Sequence, residues 1–176
     1  MFFTDLETER LFLKNISKDD RDFIFDLFSS ENVTEYLFDA EPLTNISGAD
    51  EIIDSYLESE PRDKHRWIIV RKIDNVKMGT CGFHCWNYKT SRVDIGYDLR
   101  NDFWGYGYMQ EAIKEIIKFA INQMNIIEIN ACIYIDNHRS IRLVEKCNFI
   151  ENGFRNEVFR GKAYSHKIYT KFCKDN

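Results

Sequence analysis

The sequence predicts an α+β domain of mixed αβα type. A central, mostly antiparallel sheet of about seven strands carries one parallel pair, strands 4 and 5, and about four helices. Three observations predict it. The elements read β, α, α, β, β, β, α, β, α, β, β, with strands in runs rather than in strict alternation with helices. The three middle strands follow one another through short turns, as antiparallel neighbours do. The fourth and fifth strands are separated by the longest helix of the chain, a crossover that makes them parallel.

Residues 6–13 read as the first strand. Ser17 is an N-cap with Asp20 three residues on. Behind it Phe23, Ile24, Leu27 and Phe28 fall at helical spacing. Ile52, Ile53, Tyr56 and Leu57 mark a second short helix before Pro61. Residues 65–72 and 76–86 are strands about the turn residues Asp74 and Asn75. Residues 92–99 form the fourth strand, with Val93, Ile95, Tyr97 and Leu99 alternating with Arg92, Asp94, Gly96 and Asp98. Met109, Ala112, Ile113, Ile116, Ile117, Ala120, Ile121 and Met124 make one continuous apolar helical stripe. In residues 127–135 every second side chain is apolar, the pattern of a strand. A short helix around 139–146 follows, then strands near 149–159 and 163–172 about Gly161. No internal repeat and no Pro/Gly/Ser linker interrupts the chain, so 1–176 reads as one domain.

At 176 residues, folding buries roughly 70% of the unfolded surface, enough for a core without staples. Fourteen Phe and nine Tyr argue against disorder, and only two Pro and eight Gly exclude collagen-like or low-complexity readings. The net charge of −5 works against general nucleic-acid affinity but suits a cationic substrate. No apolar run approaches the roughly 20 residues of a membrane span, and Asp5 and Glu7 precede any basic residue, which argues against a secretory signal. Cysteines 81, 85, 132, 147 and 173 are odd in number and without a paired framework, as expected of reduced thiols in the cytoplasm.

The most informative stretch is Leu99-Arg-Asn-Asp-Phe-Trp-Gly-Tyr-Gly-Tyr-Met-Gln-Glu111, between the fourth strand and the longest helix. Gly105 and Gly107 let backbone approach a ligand closely. The helix that follows opens with unsatisfied N–H groups and the positive end of its dipole, which together make a phosphate site. A bare Gly-x-Gly is ordinarily a plain turn; its position here raises the phosphate reading above that. A dinucleotide fingerprint fails, because Gln110 stands where the third glycine belongs and Asp136 lies 31 residues past Gly105. A P-loop fails for want of a following Gly-Lys-Ser/Thr.

Asn137 ends the fifth strand where the next helix begins. Its amide donates and accepts at once, as holding an amide-rich ligand arm requires, and a helix cap is the alternative. If the fourth and fifth strands part at their C-terminal ends, a ligand lies in the gap, as at the carboxyl edges of open α/β sheets.

Taken together, these segments resemble the GNAT N-acetyltransferases, in particular the RimJ/RimL branch of ribosomal-protein N-terminal acetyltransferases. The resemblance spans nearly the whole chain. It rests on Thr8-Glu-Arg-Leu-Phe-Leu-Lys14, Asp19-Asp20, Met78-Gly-Thr-Cys-Gly82, Ile95-Gly-Tyr97, Trp104-Gly-Tyr-Gly-Tyr-Met-Gln-Glu-Ala112, and Asn137-His-Arg-Ser140 with Glu145, Lys146 and Phe149. It implies acetyl-CoA as co-substrate, no metal, and a primary amine as acceptor, either a protein N-terminus or a small molecule. It implies no nucleic acid or membrane partner, and a monomer or homodimer. Residues Trp104, Gly105, Tyr106, Gly107, Tyr108 and Met109 would form the pyrophosphate loop. Backbone at Tyr97, Asp98 and Leu99 would pair with the pantetheine arm, and Asn137 and Ser140 would reach it from the other side. Four positions, Trp104, Met109, Val144 and Asn148, depart from the general family pattern. Trp104, Gly107 and Met109 occupy the places of Gln/Arg, Gly and Gly/Ala, Val144 takes the place of a tyrosine general acid, and Asn148 takes that of a glycine. Asn is the residue after Gly that best tolerates the left-handed conformation such a turn needs.

Transfer from a thioester to an amine needs three things: loss of an amine proton, a donor for the developing oxyanion, and a proton for the leaving thiolate. The resemblance points to Ser140 for the last and to Asp94, just before Ile95-Gly-Tyr97, for the first. Asp98, which shares the face of Asp94 by parity, is a second candidate base; a solvated carboxylate is the plain reading of both, and a water relay with no dedicated base is another. A non-catalytic acyl-CoA-binding module is the alternative function. Cys81 and Cys85 share a strand face but lie about 13 Å apart at 3.3 Å per residue, too far for two ligands of one zinc.

Overall fold

Strands whose two faces are both apolar must be covered on both sides. The strand His65–Arg71 sends Trp67 and Ile69 into one core cluster and Ile68 and Val70 into another. In the computed structural model, which describes residues 2–37 and 41–173, these clusters fill the two faces of one sheet. Its strands are β1 (Leu6–Glu7), β2 (Leu11–Asn15), β3 (His65–Arg71), β4 (Lys77–Asn87), β5 (Arg92–Leu99), β6 (Glu128–Tyr134), β7 (Ile150–Phe159) and β8 (Lys162–Phe172). The helices are α1 (Arg21–Phe28), α2 (Glu31–Thr34), α3 (Ser47–Tyr56), α4 (Tyr108–Asn122) and α5 (His138–Lys146), with short 3-10 turns at Lys18–Asp20 and Asn101–Phe103. The sheet order is β1-β2-β3-β4-β5-β6-β8-β7, and every pairing is antiparallel except β5 with β6. The expected α+β class and its parallel pair are therefore present; the expected fourth and fifth strands are β5 and β6.

Residues 6–13 are two strands rather than one. The chain turns at residues 8–10 because α4 holds it there. Glu111 accepts from Thr8 Oγ1 at 2.5 Å and from the Arg10 amide at 2.9 Å, and pairs with Arg10 Nε at 2.6 Å. These partners lie a hundred residues away, outside any local pattern. Helix α2 was not expected, since four residues show no periodicity. The Ser17 cap forms as expected, with Asp20 Oδ2 accepting from Ser17 N at 2.8 Å and Ser17 Oγ at 2.9 Å. Asn148 takes the left-handed φ of +63° that its place at the end of α5 requires.

Met109, Ala112, Ile113, Ile116, Ile117 and Ala120 of α4 are buried against the sheet. Burial at roughly 1.5–3 kcal/mol per large apolar side chain makes this helix a main anchor of the fold. Helices α1 and α3 bury Ile24, Ala49 and Ile53 on the opposite face. Among the described residues no helix is long and apolar enough to cross a membrane, and all five cysteines are free.

One feature positions the site. Parallel strands β5 and β6 share only three rungs, Arg92 with Glu128, Val93 with Ile129 and Asp94 with Asn130. Beyond them β5 stays paired with β4 as far as Leu99, and β6 stays paired with β8 as far as Tyr134. The two strands keep their outer partners and part from each other, so the inner edge of β5 from Ile95 to Leu99 has no ladder partner.

Candidate active site

A cavity of about 320 Å³ sits where the strands part, between the start of α4 and the start of α5. Its floor is β5, where strand alternation turns Tyr97 toward the helices α4 and α5 and Asp98 to the other face. Leu99 hands the chain to the glycine loop. There Gly105 has φ +83° and Gly107, the N-cap of α4, has φ +79°. A Cβ at Gly105 would meet nothing within 4 Å, and one at Gly107 only Arg10 Nη2 at 3.6 Å. The left-handed backbone, not crowding, is what requires glycine here. The Glu111 amide makes the first helical bond, to Gly107 O at 3.0 Å. The amides of Tyr108, Met109 and Gln110 precede it, have no intrahelical partner by position, and belong to residues that line the cavity.

The facing wall is cationic. Arg139, Arg142 and Lys146 of α5 all border the cavity, and Arg142 and Lys146 have no ion pair among the described residues. A chain of net charge −5 thus gathers three positive groups opposite a helix N-terminus. These cations fall at i, i+3 and i+7, a spacing legible in the sequence but not singled out there. The Arg139 guanidinium lies 3.6 Å from the Trp104 ring centroid and 3.5 Å from Glu35 Oε2. The Trp104 indole donates to Leu99 O at 2.8 Å. Trp104 therefore ties the glycine loop to both the end of β5 and α5. Asn32, Val33, Tyr36 and Leu37, in and after α2, close one side of the cavity.

Of the expected site residues, Tyr97, Asp98, Leu99, Trp104, Gly105, Gly107, Tyr108, Met109, Asn137 and Ser140 line this cavity. Tyr106 does not; its side chain is exposed, and its carbonyl accepts from Arg10 Nη1 at 3.1 Å. Asn137 caps α5, its Oδ1 accepting from the Ser140 amide at 3.2 Å, while still bordering the cavity. The Asp98 carboxylate is buried against Arg66 Nη1 at 3.2 Å and Thr80 Oγ1 at 3.3 Å. Arg66 also donates to Tyr56 Oη at 2.9 Å. Nothing in the sequence announced Arg66, because its partners come from α3, β4 and β5. Asp94 stands on the last shared rung of β5 and β6, outside the cavity and half-buried. Burial raises its carboxyl above the ordinary aspartate value, against the pull of His84, Arg155 and a hydrogen bond from Asn130. Cys81 is buried and Cys85 exposed, because Cys85 takes φ +54° where the β4–β5 register shifts.

A second cavity of about 470 Å³ lies on the other face, walled by Ile24, Phe28, Leu43 and Ile52. Leu37 and Asp98 border both cavities.

The family described as "Acetyltransferase (GNAT) domain" matches residues 10–150. The uncharacterized N-acetyltransferase p20 of Bacillus licheniformis is 31% identical over 166 residues, covering 93% of this chain and 92% of its own. The uncharacterized N-acetyltransferase YoaA of Bacillus subtilis is 31% identical over 172 residues, covering 96% of each. Spermidine N-acetyltransferase from Vibrio cholerae, solved in complex with CoA and spermine, has the same fold. It aligns with a TM-score of 0.82 at 19% identity over 94% of this chain and 96% of its own. With the parted strands, the glycine loop and a family match over most of its length, the chain belongs to the GNAT family of acetyl-CoA-dependent acetyltransferases.

Proposed function

We propose that this chain, acting as one domain, transfers an acetyl group from acetyl-CoA to a primary amine, as a RimJ/RimL-like N-acetyltransferase. The amine is a protein N-terminus or a small molecule. The observation that carries this reading is the convergence of the α4 N-terminus, two left-handed glycines and three α5 cations on the unpaired edge of β5. That set fits an acyl-CoA. The amides of Tyr108 and Met109 with the cations of Arg142 and Lys146 suit its diphosphate. The edge of β5 suits an amide-bearing arm added as a strand would be. Bound there, the co-substrate supplies an activated acetyl thioester.

The chain's own residues then have the following work. The free β5 amides in the gap hold the carbonyl oxygen as it gains charge. Ser140 protonates the departing sulfur. Asp94, three residues before Tyr97 and about 10 Å from it along the strand, takes the amine proton through water. The acceptor reaches the thioester from the second cavity, by way of Asp98 and Leu37. A cytoplasmic site of action fits the five free thiols.

The test is calorimetry with CoA together with a thiol-release assay using acetyl-CoA, small amines and N-terminal peptides. We expect saturable CoA binding that weakens with salt, and release with at least one amine. Absence of CoA binding would remove the whole assignment. Binding without release for any acceptor would favour an acyl-CoA-binding module.

A further inference from the structure

Tyr97 Oη is a buried hydroxyl in the cofactor cavity that has no hydrogen-bond partner among the described residues. A buried polar atom left without a partner is costly, and each such atom in a folded protein calls for an explanation. Its neighbour is informative. The hydroxyl it faces is that of Ser140, which lines the same cavity. Ser140 is the only hydroxyl residue in α5; one turn on, Val144 is fully buried in the core. The backbone of Ser140 is already anchored, since its amide donates to Asn137 Oδ1 at 3.2 Å. The rotation of the Ser140 side chain, and with it the direction of its proton, is set by what its hydroxyl meets. A serine hydroxyl can accept one hydrogen bond while donating another.

Resting on the acetyl-CoA reading above, we propose that Tyr97 is a positioning residue: its Oη donates to Ser140 Oγ and so turns the Ser140 proton toward the sulfur of CoA. When the carbon–sulfur bond breaks, its electron pair stays on sulfur. Ser140 Oγ passes its proton there and regains one from cavity water, while the proton lost by the amine leaves through water on the Asp94 side. Tyr97 keeps its own proton throughout. Burial raises the tyrosine hydroxyl above its ordinary value, so it remains a donor across the working range of pH.

The test compares Tyr97→Phe, Ser140→Ala and the double variant, each with CoA and with desulfo-CoA, which lacks the sulfur. Tyr97→Phe should weaken CoA several-fold and leave desulfo-CoA unchanged, a difference that a packing defect would not produce. Ser140→Ala should do the same. The double variant should bind no more weakly than Ser140→Ala alone, because Tyr97 acts through Ser140. In turnover, Tyr97→Phe should lower kcat about tenfold with the KM for acetyl-CoA little changed. Equal losses for CoA and desulfo-CoA, additive losses in the double variant, or wild-type behaviour of Tyr97→Phe would each overturn the proposal. Failure of the wild-type chain to bind either compound would instead overturn the acetyl-CoA reading beneath it.

Discussion

Gly107 is the position at which cofactor binding and backbone conformation are most tightly joined. It begins α4 with φ +79°, and a Cβ there would meet only the flexible end of Arg10 at 3.6 Å. Substitution is therefore a nearly pure test of dihedral preference. An L-residue in the left-handed region costs about 1–2 kcal/mol, less for Asn and more for a β-branched residue. Either the fold bears that strain or the loop relaxes and turns its amides away from the diphosphate. At 1.4 kcal/mol per tenfold, Gly107→Ala should lose about tenfold in CoA affinity, or the equivalent in unfolding free energy. Gly107→Asn should stay near wild type, and Gly107→Val should bind too weakly to detect. Calorimetry with CoA and denaturant unfolding on the same three variants separate the two routes. The reasoning fails if the order follows side-chain size instead, with Asn as harmful as Val, or if all three bind CoA like the wild type.

Further outcomes follow from the buried charges. As the carboxylate that accepts the amine proton, Asp94 must be ionised, so kcat/KM should fall as pH drops through a value above that of an ordinary aspartate. Asp94→Asn should lower the rate and abolish that acid limb; a limb unchanged in the variant would acquit Asp94. His65 is buried, with its pKa pushed down to about 3, first by burial and then by Arg62 and Arg66. Its Nδ1 can only accept from Arg62 Nη2 at 2.9 Å, so Nε2–H donates to Asn15 Oδ1 at 2.8 Å and the ring is neutral. Because the unfolded chain takes the proton first, stability is whole above about pH 6.5 and is lost progressively toward pH 3, by about 2 kcal/mol at pH 5. In urea unfolding at pH 7.5 and pH 5, His65→Gln should lack this component of the loss. Asp98→Ala should cost about 3–5 kcal/mol because it leaves Arg66 buried without its counter-charge. The paired change Arg66→Met with Asp98→Leu should cost less, and denaturation of both variants decides it.

The sequence by itself determined the elements whose signal is periodic and local. The apolar stripe of α4, the alternation in β5 and β6, and the Ser17 and Asn137 caps all depend on neighbours within a turn or a pleat. Gly105 and Gly107 stood out in the sequence for close approach to a ligand, whereas the structure shows that their left-handed φ is what requires glycine. The glycine loop, the end of β5, Asn137 and Ser140 were legible from local pattern together with their resemblance to a family, whereas the cavity's α5 cations and its α2 wall were not. Only the tertiary structure decided the rest. Glu111 splits the first strand from across the chain, and Trp104 of the glycine loop ties β5 to α5. Arg66 gathers partners from three elements, and Tyr97 of β5 and Ser140 of α5 come to line one cavity. The physical reason is the same in each case. Local patterns record which face of an element is buried, whereas the partner of a buried polar group is chosen by packing between elements far apart in the chain.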